Sequence, residues 1–234
     1  ITILEGFGLT ETTPVTHFNR PGRIKPGTVG HAIPQTKVKI ADDGELLIKG
    51  PQVMKGYYKN PKATKEVFTK DGFFRTGDIA AIDDEGFLKI TGRIKDIIVT
   101  AGGKNISPQN IENSLKTSQY IEQVAVIGDR RKYLSALVIP AFEAVEKWAK
   151  RSGITFSGHR DLIENSEVNK LLAGEIEKYT KQYARVEQIR KFKLLDAEWT
   201  QQTGELTPTQ KVKRRIVESK YAHEIESMYP ADAD

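Results

Sequence analysis

The sequence contains no cysteine, which removes disulfides, thiolate metal sites and a cysteine nucleophile together. Histidine is sparse and scattered, at His17, His31, His159 and His223, so no spacing supports a zinc cluster. No apolar run approaches the ~18 residues that cross a bilayer, and the residues from Ile1 onward do not read as a signal peptide. Internal repeats and low-complexity tracts are missing too. What is present is a globular composition: 234 residues, 38% hydrophobic and 29% charged, enough for one large domain or two modest ones. The net charge of +5 and pI near 9.2 suit any polyanion, whether nucleic acid, an anionic membrane surface, a nucleotide or coenzyme A. Solvated surface lysines account for the same bias. The chain opens at Ile1 without Met, in what reads as a strand, and is expected to be part of something longer.

The chain divides by grammar. Residues 1–92 read as β-rich, with short runs such as Val38-Lys39-Ile40, Glu45 to Lys49 and Phe87 to Ile90 between the turn signals Asp42-Asp43-Gly44 and Asp83 to Gly86. Such hairpin spacing predicts a small barrel-like or distorted antiparallel sheet. One helix is predicted from Pro61 to Phe68, with Asn60 as its cap. Residues 93–96 read as a short charged connector of the kind that serves as a hinge. Residues 97–234 alternate strands and helices and predict a separate α+β domain. Its predicted elements are a strand at Ile97 to Thr100, a turn at Ala101 to Asn105, and a helix capped by Ser107-Pro108 running to Leu115. Strands follow at Val124 to Ile127 and Ser135 to Ile139. Helices are predicted at Ala144 to Arg151 and around Val168 to Val186, then a strand at Lys191 to Leu195. A loop at Thr203 to Thr207 leads to a helix from about Pro208.

Five ordered blocks carry the chemistry. In Glu5 to Thr12, glycines flank Phe7 and would let the backbone approach a flat ring, with the hydroxyl of Thr10 and the carboxylate of Glu11 close behind. Gly44 to Gly50 with Gly56 to Pro61 reads chiefly as hairpin scaffold. Arg75-Thr76-Gly77-Asp78 reads as a charged turn. An ionised carboxylate there could accept both vicinal hydroxyls of a ribose, each charge-assisted bond contributing roughly 1.5–3 kcal/mol. Gly92 to Asp96, with the Gly102-Gly103 turn beyond it, is the fourth block. The fifth, Glu205 to Arg215, reads equally as a solvated basic helix start and as a loop that delivers a lysine to a phosphate.

In this order the blocks resemble the adenylate-forming superfamily, which holds acyl-CoA synthetases, luciferases and peptide-synthetase adenylation domains. The likeness is strongest to long-chain fatty-acid–CoA ligases, through Leu206-Thr207-Pro208-Thr209-Gln210-Lys211-Val212-Lys213-Arg214, and it covers essentially the whole chain. The resemblance implies that Phe7, with Gly8, packs on adenine. It implies that Thr10 contacts the α-phosphate, Glu11 holds magnesium, and Asp78 and Arg93 bind ribose or phosphate. It further places Lys95 at a hinge and Gly102 and Gly103 on the path of the coenzyme A arm. Lys213, four residues after Thr209, takes the position of the catalytic lysine. The glycine usual before it is Val212 here, so Lys211 competes for that role.

The implied substrates are a fatty acid, ATP and coenzyme A with Mg2+. Residues 1–92 would be the last β-rich subdomain of a large domain, and 97–234 a C-terminal lid. A Ser/Thr/Gly-rich phosphate loop and an acyl tunnel are not in this sequence, so the fragment is expected to be inactive alone. The expected setting is cytoplasmic, with peripheral contact at the inner membrane face compatible, no nucleic acid and no obligate protein partner. Competing readings are an adenylating ligase for another acid, a basic nucleic-acid module using Lys211 to Arg215, and a peripheral membrane module anchored by Trp148 and Trp199.

Overall fold

A computed structural model of the chain describes residues 1–208 and 210–230, so Thr209 of the lysine block and the last four residues lie outside the description. The chain forms two compact units, Ile1–Lys95 and Asp96–Asp234. Both combine mainly antiparallel strands with helices, the α+β class that the sequence predicts.

In the first unit every sheet neighbour is also a sequence neighbour. Strands β1 (Gly6–Gly8), β2 (Val15–Phe18) and β3 (His31–Ala32) form one antiparallel sheet. Strands β4 (Lys37–Ile40), β5 (Glu45–Lys49), β6 (Phe74–Ile82) and β7 (Leu88–Arg93) form the other. Helix α1 (Pro61–Glu66) starts where expected, because the Asn60 side chain accepts the Ala63 N–H at 3.1 Å and Pro61 needs no donor partner. A small core of Leu46, Ile48, Ala80 and Leu88 holds the four-stranded sheet, with Phe7 packed against it. The opening residues Ile1 to Glu5 are not a strand, contrary to the sequence reading.

His17 on β2 is buried, and a 3.0 Å hydrogen bond joins its Nδ1 to Thr16 Oγ1. Burial first, then the nearby charge of His31, lowers its pKa from 6.5 to about 4. The unfolded chain therefore takes up a proton below pH 6.5 that the folded chain refuses until about pH 4. Stability should fall as pH drops through that window, by about 2 kcal/mol at pH 5. Urea midpoints of the first unit measured from pH 7.5 to 5 should show this slope, and His17→Gln should flatten it.

In the second unit a short hairpin, β8 (Ile98–Val99) and β9 (Asn105–Ile106), leads to helix α2 (Pro108–Leu115). A three-stranded sheet follows in the order β10 (Ile121–Ile127), β11 (Leu134–Pro140), β12 (Ile189–Leu194). The β10–β11 pair is antiparallel, and β11–β12 is parallel. All seven residues of β11 are buried, as befits a central strand covered on both faces. The crossover carries α3 (Phe142–Arg151), α4 (His159–Glu164) and α5 (Ser166–Thr180).

Three expectations need correction here. The long helix expected around Val168 to Val186 ends at Thr180, and only a 3-10 turn, Arg185–Glu187, follows. Helix α4 was not foreseen, since six residues with only Leu162 buried show no period; Asn165 ends it and then caps α5 through the Glu167 and Val168 N–H groups. The helix expected from about Pro208 begins at Arg214 and is broken at Tyr221 into α6 (Arg214–Lys220) and α7 (Ala222–Ser227). Instead the Thr207 N–H donates to the Lys211 carbonyl at 2.8 Å and the Gln210 N–H to the Thr207 carbonyl at 2.9 Å, with Gln210 in the left-handed region at φ +60° and Leu206 bridged to Val212.

Candidate functional site

In the first unit, Phe7 lies on β1 opposite His17, their ring centroids 6.4 Å apart. The register slips between Phe7 and Gly8, and a Cβ on Gly8 would sit 1.5 Å from the Pro14 carbonyl oxygen. Glycine is therefore required by close backbone approach. Next, Thr10, Glu11 and Thr12 form a 3-10 turn, fixed by Thr12 Oγ1, which accepts the Leu9 N–H at 2.9 Å. Thr10 is exposed and Glu11 half-buried. The Met54 N–H donates to the Glu11 carbonyl at 2.8 Å, and the Tyr57 hydroxyl donates to the Glu11 carboxylate at 3.0 Å. Burial, then the Glu11 carboxylate, raises the Tyr57 pKa, so that hydroxyl stays a donor. The Gly56 to Pro61 block thus does more than scaffold a hairpin, which sequence period had no means to show.

Arg75 to Asp78 is not a turn. All four residues lie within β6, where Gly77 takes φ +71° and bends the strand. The Arg75 guanidinium donates to buried Glu45 at 2.6 Å, and Glu45 also accepts the Gly77 N–H at 3.0 Å. Glu45 was missed because its partners lie some thirty residues on. Asp78 is instead paired across the ladder with Arg93 on β7, whose Nε donates at 2.8 Å. The carboxylate is 8% exposed and the guanidinium 55%, so a sheltered acceptor is held by a half-solvated cation. Ala80, two residues along, belongs to the core on which Phe7 packs. Phe7, on the neighbouring three-stranded sheet, so packs against the same small core as the four-stranded sheet that carries Asp78 and Arg93.

Lys95 lies exposed in a 3-10 turn, Ile94–Asp96, and the first unit ends on it. In the second unit, Gly102 and Gly103 form the exposed tip between β8 and β9. The Gly103 N–H closes the turn on the Thr100 carbonyl at 2.8 Å, with Gly103 at φ +75°, a conformation that glycine adopts freely.

Lys211 and Lys213 are both exposed and flank Val212, which packs toward the core of the second unit. Extended backbone alternates its side chains, so the two ammonium groups leave the same outer face. The Lys213 N–H donates to the Glu205 carbonyl at 2.7 Å, and the Lys213 carbonyl accepts from Ile216 and Val217 as α6 begins. Before the pair, buried Glu205 meets the Lys220 ammonium at 2.5 Å. After it, Arg214 reaches Glu112 at 2.6 Å.

Among the described residues no group of three or more His, Cys, Asp or Glu could hold a metal ion. A single carboxylate such as Glu11 fits Mg2+ only as that ion rides on substrate phosphates, its usual mode. Nor, among those residues, is any helix long and apolar enough to cross a membrane.

Comparisons with known proteins show what the chain is similar to. Residues 95–233 match the AMP-binding enzyme C-terminal domain, and residues 1–58 match the AMP-binding enzyme family. The chain is 43% identical over 230 residues to the long-chain-fatty-acid–CoA ligase FadD15 of Mycobacterium tuberculosis, covering 98% of this chain and 38% of that protein. It is 34% identical to human long-chain-fatty-acid–CoA ligase 6, covering 97% of this chain and 34% of the relative. Among solved structures it is similar to the adenylation domain of a carboxylate reductase from Mycobacterium chelonae, with TM-score 0.78 and 26% identity over 97% of this chain and 34% of that one. The corresponding domain from Segniliparus rugosus, in complex with AMP and a co-purified carboxylic acid, gives TM-score 0.77 and 26% identity over 98% and 35%. The chain spans about two fifths of the length of the curated relatives it matches.

Proposed function

The chain belongs to the AMP-binding enzyme family, and from that membership we propose that it is part of an ATP-dependent long-chain fatty-acid–CoA ligase. The observation that carries the reading is the Asp78–Arg93 pair, a sheltered carboxylate fixed by a cation beside the core that seats Phe7. Such a carboxylate can accept both ribose hydroxyls of ATP, while the Phe7 ring offers a flat apolar face to adenine. Similarity to named fatty-acid–CoA ligases supports the acid and the thiol.

The reaction has two steps. A carboxylate oxygen attacks the α-phosphorus of ATP, the bond to the bridging oxygen breaks, and pyrophosphate leaves, giving an acyl-adenylate. The sulfur of coenzyme A then attacks the acyl carbon, AMP departs, and the thiol proton is released. Thr10 is assigned a hydrogen bond to the α-phosphate and Glu11 the magnesium, which supplies charge neutralisation to the phosphates when bound. Lys213 is assigned the charge shared between carboxylate and phosphate in the first step, a task suited to an ammonium whose donors follow moving oxygens. Lys211 is the second candidate, because it too is exposed and stands two residues before Lys213. Lys95 serves as hinge, and Gly102 and Gly103 line the path of the coenzyme A arm in the second step. The 234 residues alone do not turn over; the complete enzyme supplies the remaining walls of the site.

ATP–pyrophosphate exchange with a long-chain acid tests this directly. The complete enzyme should catalyse it, and the isolated chain should not; exchange by the chain at an ordinary ligase rate would refute the division of labour. In the complete enzyme, Asp78→Asn keeps the side chain's size but removes its charge. It should weaken AMP binding about tenfold, as the loss of one charge-assisted hydrogen bond predicts. Calorimetric titration with AMP reads this without turnover, and unchanged affinity would remove Asp78 from the ribose role.

A further inference from the structure

Lys211 and Lys213 are exposed, yet the side chain directly after Lys213 is held through both of its terminal nitrogens. Strand β10 is an edge of its sheet, so the outward backbone groups of Val126 have no strand to pair with. Two side chains from distant parts of the sequence take that place. Glu112 of α2, buried to 4% exposure, accepts the Val126 N–H at 2.8 Å. The Arg214 guanidinium donates to the Val126 carbonyl and, through its other terminal nitrogen, to the same Glu112 oxygen at 2.6 Å. The three groups close a ring in which each is satisfied by the other two. Arg214 is the first residue of α6, and its backbone follows that of Lys213 without a break.

We infer that Glu112 and Arg214 are positioning residues for adenylation: they seal the β10 edge and thereby fix the place from which the Lys211–Lys213 face presents its ammonium groups. This rests on the lysine role proposed above, but holds whichever of the two lysines acts. Neither Glu112 nor Arg214 need touch substrate. A guanidinium can bridge a carbonyl and a carboxylate at once because its donors are forked in a plane, whereas an ammonium on a flexible stem holds them less rigidly. Small errors in placing a reacting group are costly: a shift of 1 Å can slow a step by about 100-fold.

The test is Arg214→Lys in the complete enzyme, with the two half-reactions measured separately. The expected result is a fall of about tenfold or more in kcat for ATP–pyrophosphate exchange, with the KM for ATP nearly unchanged. Thioester formation from a synthetic long-chain acyl-adenylate and coenzyme A should stay within about twofold, since the lysine is not assigned to that step. An equal fall in both half-reactions, or no fall in either, would overturn the inference. Should Arg214→Lys fail to fold, Glu112→Gln keeps the shape and one acceptor oxygen, and the same split should appear at smaller amplitude; its absence counts equally against the proposal. Failure of the parent reading looks different: Lys213→Ala and Lys211→Ala would then both leave exchange intact.

Discussion

Replacing Lys213 with alanine in the complete enzyme should slow acyl-adenylate formation by roughly 10²–10³-fold, the scale on which preorganised donors act at a transition state. ATP binding should barely change, because the ammonium is matched to charge that develops only as the phosphorus is attacked. Lys211→Ala is the necessary companion. The two lysines flank the inward-packed Val212 and are both exposed, so local geometry leaves both in contention, and only the resemblance to the family's lysine pattern favours Lys213. One of the two substitutions should carry nearly the whole loss, and the other should stay within a few fold. Should Lys211→Ala carry it, the catalytic role passes to that residue and the chemistry is otherwise unaltered. Stability should be indifferent to both changes, since neither side chain is buried. Single-turnover adenylation, with thermal melting alongside, gives both readings.

The second large effect is on the fold. Gly8→Ala should destabilise the Ile1–Lys95 unit by at least ~3 kcal/mol, at the upper end of what overpacking costs. The added Cβ would lie 1.5 Å from the Pro14 carbonyl oxygen, 2.4 Å from its carbon and 2.8 Å from the Val15 Cα. All three are backbone atoms, so no side chain can turn aside, and β1 must part from β2. Phe7 then loses its seat together with the strand. Gly102→Ala makes the matching control: its Cβ would meet nothing nearer than Thr100 Oγ1 at 3.9 Å, and stability should hold within about 0.5 kcal/mol. Urea unfolding of the three proteins, with hydrogen exchange at the β1–β2 amides, separates the cases. Equal stability of Gly8→Ala and the parent would mean that β1 is not held against Pro14.

Sequence reading recovered what is local. The Asn60-Pro61 cap, the β4–β5 hairpin and the β10–β11 pair rest on turn chemistry and period, which neighbouring residues encode. It erred where a partner lies far along the chain. Arg75 to Asp78 has the composition of a turn, yet buried Glu45 draws Arg75 and the Gly77 N–H into one strand. The run from Pro208 has helical composition, but Glu205 and Leu206 hold its first residues in a hairpin, delaying the helix to Arg214. Tyr57 reaches Glu11 across the first unit, and Arg214 reaches Glu112 across the second. Periodicity says which face a residue occupies; it does not say whose carboxylate waits there. The ordered blocks were legible because their glycines and charges sit at short, fixed spacings.

The contrast between the strand orders of the two units reaches into how the chain acquires its shape. In the first unit each strand pairs with the next or previous one, so hairpins can form as soon as they are made. In the second, β11 must wait for β12, with α3, α4 and α5 intervening, and contacts of such separation form slowly. Arg214, which anchors the lysine turn to Glu112 of α2, comes later still, after β12. Along the chain, the β6–β7 ladder that pairs Asp78 with Arg93 can therefore form before the turn carrying Lys211 and Lys213 is anchored.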